Sequence, residues 1–174
     1  MILTGKRLRL RAPEPDDIDF LYILENSDSA EGSGFVAAPV SRSMLHNYID
    51  TYNADINSDG QLRLVIEDIA TGRAIGTADI SDYDRRDRRG FVGIIITEGF
   101  RQQGYATEAL DMLCQYAEST LGMHQLAAIV ALDNEASKAL FTACGFKPAG
   151  RLRSWLRRRR SYADAIMFQR LFAS

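Results

Sequence analysis

The alternation of apolar and polar residues changes character several times along the chain, and each change predicts an element. Lys6-Arg7-Leu8-Arg9-Leu10-Arg11 sets charge against leucine with the period of a half-buried strand, which Pro13 and Pro15 end. Asp16 and Asp17 introduce Ile18, Phe20, Leu21 and Leu24, a short amphipathic helix with acids in its first turn. Residues 27–39, rich in Ser, Gly and Ala, read as a mobile loop. Ser41 stands where it would cap a second helix carrying Met44, Leu45, Tyr48, Ile49 and Tyr52 on one face.

From Leu62 the period becomes two. Leu62, Leu64 and Ile66 alternate with polar neighbours, Ala70-Thr71-Gly72-Arg73 makes a turn, and a second strand covers residues 74–83. A charged turn at 84–89 leads to a third strand at 91–97, whose Val92-Gly93-Ile94-Ile95-Ile96 run predicts burial on both faces. These three strands form an antiparallel meander. The second half alternates helix with strand. A helix over 104–121 presents Ala106, Ala109, Leu110, Leu113, Ala117 and Leu121 on one side and stops at Gly122. A buried strand at 125–132, a short helix at 134–144, a strand from Gly145 and a last strand at 162–171 follow. That order predicts parallel pairing attached to the meander. No repeat or linker divides the chain, so residues 1–174 read as one α/β domain.

Composition narrows the chemistry. At 46% hydrophobic and 25% charged residues, a sizeable core can form. Cys114 and Cys144 are too few for a disulfide framework or a Cys-rich zinc site. Residues 55–60 open like a calcium loop, but the twelfth position is Ile66 where an acid is needed. His46 and His124 lack metal-ligand spacing, so no metal is expected. The longest apolar stretches, at 91–96 and 126–132, fall short of a membrane span, and the N-terminal residues do not resemble a signal peptide. A cytoplasmic protein with no membrane partner is expected. The net charge of −2 makes no argument for nucleic acid, and Arg157-Arg158-Arg159-Arg160 reads as a solvated hairpin tip. Charge is nevertheless uneven: residues 1–87 carry 16 acids and 9 bases, residues 88–174 carry 7 acids and 12 bases. An anion would find its counter-charge in the second half, a cation in the first.

The strongest local signal runs from Ile94 to Ala106. A buried strand passes through a basic, glycine-containing turn into the first turn of a helix, where backbone N–H groups have no intrahelical partner. Small residues at 104 and 106 would let a diphosphate approach the main chain, with Arg101 adding charge. The residues alone leave open an anion cradle or an ordinary strand–loop–helix connection. The dinucleotide and P-loop glycine patterns are both absent.

Arg101-Gln102-Gln103-Gly104-Tyr105-Ala106 resembles the R/Q-x-x-G-x-G/A signature of the GCN5-related N-acetyltransferases (GNAT), and Asn134-Glu135-Ala136-Ser137 and Gly145-Phe146 follow at similar spacing. The Arg7–Ala12 stretch with its acidic helix, and Tyr162-Ala163-Asp164, resemble the subgroup of ribosomal-protein N-terminal (RimJ/RimL-like) and spermidine acetyltransferases. The resemblance implies a mixed, mostly antiparallel sheet split into a V between its fourth and fifth strands, flanked by about four helices, with acetyl-CoA in the split. It implies that Ile94, Ile95, Ile96 and Thr97 meet the pantetheine arm. Arg101, Gln102, Gln103, Gly104, Tyr105 and Ala106 would cradle the pyrophosphate, Asn134 would bind the pantetheine, and Ser137 and Phe141 would lie along the same arm. A primary amine (polyamine, other small amine or protein N-terminus) would attack the thioester directly, and a homo-oligomer is compatible.

Two positions depart from the family pattern. Phe91 occupies the place where many members carry the acid that takes the amine proton through water, and Phe141 the place of a tyrosine that protonates the thiolate. Neither phenylalanine transfers a proton. Asp79, Asp82, Tyr83 and Ser137 are the substitute candidates, with Asp82 and Tyr83 favoured because they end the predicted second strand of the meander near the expected cleft. The alternative function is an acyl-CoA-binding sensor or interaction module that has lost turnover.

Overall fold

Alternating leucines at the N-terminus do build a strand: Leu8 and Leu10 are fully buried in β2 (Leu8–Arg11), which pairs with a two-residue β1 (Leu3–Thr4). The computed structural model describes residues 2–27, 38–158 and 160–172, so most of the predicted loop at 27–39 lies outside the described residues. The polar face of β2 is fastened by ion pairs. Arg11 reaches Asp17 at 2.7 Å and Glu67 at 2.6 Å, and Arg9 reaches Glu67 at 3.5 Å. The acidic helix α1 (Ile18–Glu25) is thereby tied to the sheet. Ser41 caps α2 (Arg42–Thr51) as predicted, its Oγ accepting the Met44 N–H at 3.2 Å. The calcium-like stretch is a single helical turn, α3 (Ile56–Asp59), capped by Asp55 and closed by Gly60 at φ 67°.

The meander is as expected: β3 (Leu62–Asp68), β4 (Arg73–Asp84) and β5 (Arg89–Ile96) pair antiparallel in sequence. After α4 (Tyr105–Ser119), β6 (Gln125–Ala131) joins β5 in parallel. After α5 (Glu135–Ala143), the hairpin β7 (Lys147–Arg157) and β8 (Tyr162–Leu171) completes an eight-stranded sheet ordered β1-β2-β3-β4-β5-β6-β8-β7. The sheet is mixed and mostly antiparallel, and the described residues form five α-helices, of which α4 and α5 pack on it and α1 packs against α2.

The second half corrects one expectation. Among the described residues only β5–β6 is parallel; β6–β8 and β7–β8 are antiparallel. The chain turns back after β7 through a tight connection, with the Arg158 N–H on Ser161 O at 2.8 Å. A reversal that short permits only antiparallel neighbours. Within the predicted arginine tip, Arg158 pairs with Asp133 at 3.1 Å, and Arg159 lies outside the described residues.

β5 and β6 share register only at Arg89↔Gln125, Gly90↔Leu126 and Phe91↔Ala127, whereas β6 stays paired with β8 from Gln125 to Ala131. Beyond Phe91 the two strands part, which is the split of the sheet; with the two-residue β1 left uncounted, they are its fourth and fifth strands. A second correction follows. The Val92–Ile96 run is not buried throughout: Gly93 is exposed and Ile94 and Ile95 are half-buried, because β6 has left that edge.

The main core lies between the sheet and α4. Leu8, Leu10, Leu64, Ile66, Ala78, Ile80, Val92 and Ile96 meet Ala109, Leu110, Leu113 and Ala117. Each fully buried leucine there contributes roughly 1.5–3 kcal/mol. This packing fixes the axis of α4, and with it the position of its N-terminus at the mouth of the split.

Candidate functional site

At the end of β5 the chain makes one 3-10 turn (Glu98–Phe100) and enters α4 through residues 101–104. Gly104 is the N-cap, at φ 83°, and no side chain caps the first turn. Gln102, at φ 58°, is a second left-handed residue two positions earlier. An uncapped helix start holds N–H groups without intrahelical partners together with the positive end of the helix dipole. Arg101 lies beside it, its Nε donating to Ile96 O at 2.9 Å. Gln103 folds back onto Gly99 O at 2.9 Å. Tyr105 turns its ring inward and donates its hydroxyl to Asp68 at 3.0 Å, so it offers the turn only its main chain. An uncapped first turn headed by a glycine leaves main-chain N–H groups open, the chemistry an anion requires.

The latch behind this turn joins residues far apart in the chain and leaves no local signal in the sequence. Glu108 accepts the Lys6 N–H at 2.7 Å, the Arg7 N–H at 2.8 Å and Arg7 Nε at 3.1 Å. Arg7 Nη1 donates to Gln103 O at 2.8 Å, and the guanidinium lies 4.6 Å from the centre of the Tyr105 ring. Burial raises the Glu108 pKa, but the Arg7 and Lys6 donors outweigh it and hold the carboxyl below its ordinary value. The Thr71 hydroxyl, seconded by Tyr105, likewise lowers Asp68. An acid in a helix's first turn announces only a favourable dipole; its partners here lie about a hundred residues upstream.

Along the split, Thr97 is committed to β4, its N–H on Ile75 O at 2.9 Å and its hydroxyl on the same oxygen at 3.0 Å. Ile94, Ile95 and Ile96 line the edge that β6 has left. On the far side, Asn134 caps α5 by accepting the Ser137 N–H at 3.0 Å, which occupies its carbonyl oxygen. Ser137 is half-buried in that first turn. Phe141 is 6% exposed and packed edge-on against Phe146 at 5.1 Å and alongside Phe168 at 6.3 Å. Its ring is part of the core beneath the helix.

Asp82 and Tyr83 sit on a bulge of β4 opposite the start of β5, where β5 and β6 are still paired. Asp82 is exposed at φ 49°; Tyr83 is half-buried, with its N–H on Gly60 O at 2.8 Å. Five residues of strand, about 16 Å, separate Phe91 from Ile96. The structure therefore places this pair at the closed end of the split and the residues 101–106 turn at its open end.

Asp79 has a different setting. It pairs across the sheet with Gly93, is 4% exposed, and receives Arg63 Nε at 2.8 Å, while Arg63 Nη1 reaches Glu25 at 2.6 Å. Burial pushes Asp79 above the usual carboxylate range against the pull of Arg63. Tyr52 closes the cluster, donating to Arg63 O at 2.5 Å, and burial pushes Tyr48 beside it up to about 12. The network ties α1 and α2 to β3 and β4, and both Asp79 oxygens have partners. The two cysteines are buried, which pushes each thiol up to about 12 and leaves no thiolate nucleophile at neutral pH.

Comparison with known proteins agrees with this geometry. The family model for the acetyltransferase (GNAT) domain matches residues 7–147. The uncharacterized N-acetyltransferase YoaA of Bacillus subtilis is 29% identical over 155 residues, covering 89% of this chain and 88% of its own. The spermidine N(1)-acetyltransferase of Vibrio cholerae is 27% identical over 148 residues, 85% of this chain and 83% of its own. A crystal structure of spermidine N-acetyltransferase from Vibrio cholerae in complex with CoA and spermine superposes with a TM-score of 0.81 at 26% identity, over 96% of each chain.

Proposed function

The chain belongs to the GNAT acetyltransferase family, and from that premise we propose that this N-acetyltransferase passes the acetyl group of acetyl-CoA directly to a primary amine of a di- or polyamine. The observation that carries the reading is the strand edge of β5, open beyond Phe91 and running straight into the uncapped, glycine-headed start of α4. An extended arm ending in a diphosphate matches such an edge followed by such a turn. Arg101, Gln102, Gln103, Gly104, Tyr105 and Ala106 would hold the diphosphate. The arm would follow Ile94, Ile95, Ile96 and Thr97, with Asn134 and Ser137 on the opposite wall and the Phe141 ring in the core behind them. Its thioester end would then lie toward the closed end of the split, where Asp82 and Tyr83 are found.

Acetyl-CoA supplies an activated acyl group. The amine nitrogen forms the new C–N bond as the C–S bond breaks, its proton leaves to solvent or a carboxylate, and the sulfur is protonated. The exposed Asp82 carboxylate would attract the cationic amine and receive its proton through water, and Tyr83 would align the nitrogen. A main-chain N–H would meet the charge developing on the carbonyl oxygen. The substrate class rests on two supports: the relatives named as spermidine acetyltransferases, and the 16 acids against 9 bases in residues 1–87. Those residues supply α1, α2, β3 and β4, the side from which a cation would approach.

Initial rates of thiol release across diamines, polyamines, N-terminal peptides and aminoglycosides test the assignment. Polyamines should give the highest kcat/KM. A peptide outrunning every polyamine would move the enzyme to protein N-termini.

A further inference from the structure

We propose that Arg7 is a positioning residue for the diphosphate of acetyl-CoA, acting by fixing the orientation of the Gln103–Gly104 peptide. The inference rests on the cradle described above and adds to it a residue from the opposite end of the chain. Arg7 is held at both ends of its length. Its N–H is on Glu108, its carbonyl accepts the Ile69 N–H at 2.8 Å, its Nε is on Glu108 and its plane lies over Tyr105. The remaining edge points Nη1 at Gln103 O, 2.8 Å away.

That bond decides which way a peptide faces. The structure has no cis peptide bonds among the described residues, and in a trans unit the C=O and N–H point in opposite directions. Drawing Gln103 O toward Arg7 therefore turns the Gly104 N–H away from it. Gly104, the second residue of this peptide, is at φ 83°, and Gln102, one residue before it, is at φ 58°; left-handed residues in such a turn gather successive N–H groups into an anion-binding concavity. Were the peptide to flip, a carbonyl oxygen would face the anion in place of a donor. Gly104 also makes room for the arginine: a Cβ there would stand 3.1 Å from Arg7 Nη2. Arg7's own charge is matched by Glu108, so its part is orientation of the cradle.

The test compares two acetyl donors, acetyl-CoA and acetyl-pantetheine, which keeps the thioester and arm but has no diphosphate. Wild type should prefer acetyl-CoA strongly. Arg7→Gln should raise the KM for acetyl-CoA by roughly 10- to 100-fold, the range for losing a charge-assisted hydrogen bond, with kcat and the acetyl-pantetheine rate within about twofold of wild type. Arg7→Lys keeps a charge but lacks the planar, multiply donating head, and should fall between the two. Circular dichroism checks folding; should Arg7→Gln fail to fold, Arg7→Lys carries the comparison. Equal losses with both donors, or an Arg7 variant that discriminates like wild type, would overturn the proposal. A wild-type enzyme indifferent to the diphosphate would remove the cradle itself, and the role of Arg7 with it.

Discussion

Glu108, in the first turn of α4, accepts the main-chain N–H of Arg7 at 2.8 Å and its Nε at 3.1 Å, joining the helix that heads the candidate cofactor site to the residue that precedes β2. One carboxylate thus caps the entrance to a strand and compensates an arginine. Both depend on its charge.

Glu108→Gln should lower Tm at neutral pH by roughly 2–6 °C, the effect of about 1–2 kcal/mol in a chain of this size. Because the folded Glu108 titrates below its ordinary value of 4.5, its contribution is complete above that value and is lost as pH falls through the lower folded value. The wild-type and variant Tm curves should converge at acid pH. Curves that stay parallel down to the acid transition would separate Glu108 from acid stability.

Gly104→Glu should sharply weaken acetyl-CoA binding measured by calorimetry, since its Cβ would stand 3.1 Å from Arg7 Nη2, drawing that guanidinium off Gln103 O, and its carboxylate adds negative charge beside the cradle. At φ 83° any side chain is strained by roughly 1–2 kcal/mol, so Gly104→Ala serves as the strain-matched control and should bind more tightly than Gly104→Glu. Unchanged affinity in a folded Gly104→Glu protein would remove the cradle.

Asp82→Asn should lower kcat/KM for the amine while acetyl-CoA affinity stays near wild type. Asparagine tolerates a φ of 49° as aspartate does, so the bulge is preserved and only the charge is lost. The acidic limb of the pH–rate profile should move upward, toward the pKa of a free amine near ~10. A profile that overlays wild type in height and shape would leave Asp82 a surface bulge residue.

Phe141→Tyr tests the missing acid. The ring is packed between Phe146 and Phe168, so the new hydroxyl should lower stability by about 1–3 kcal/mol unless it reaches the split. Where thiolate departure limits the rate, kcat should rise, within the ~10²–10⁴-fold that general acids provide. No gain at any pH with stability kept would mean that departure is unassisted or already served by another group; no gain with stability lowered would mean that the hydroxyl stays in the core.

The local pattern carried much of this structure. Charge–leucine alternation at residues 6–11, the Ser41 cap and the glycine-headed turn at 104 each depend on neighbours a few positions away, and the sequence displays such neighbours directly. The parts it hid are relationships at long range. The antiparallel pairing of β6 with β8 depends on the β7–β8 hairpin reversing, while the strand–helix–strand order suggested parallel neighbours. Arg63 meets Asp79 and Glu25 only after three elements assemble. Arg7 looks like any polar-face residue of a strand until Gln103 is brought to it. The isoleucine run at 94–96 reads as deep core; the half-burial of Ile94 and Ile95 comes from β6 leaving an edge, an event with no trace in the run itself.

Quantifying CoA thiol release together with the mass of the amine product, with spermidine or spermine as acceptor, tests acetyl transfer most directly. The account predicts saturable release well above buffer hydrolysis and a product carrying acetyl in one-to-one proportion to the thiol. Tight acetyl-CoA binding by calorimetry, with no release above hydrolysis for any amine tried, would contradict it and make the protein an acyl-CoA sensor.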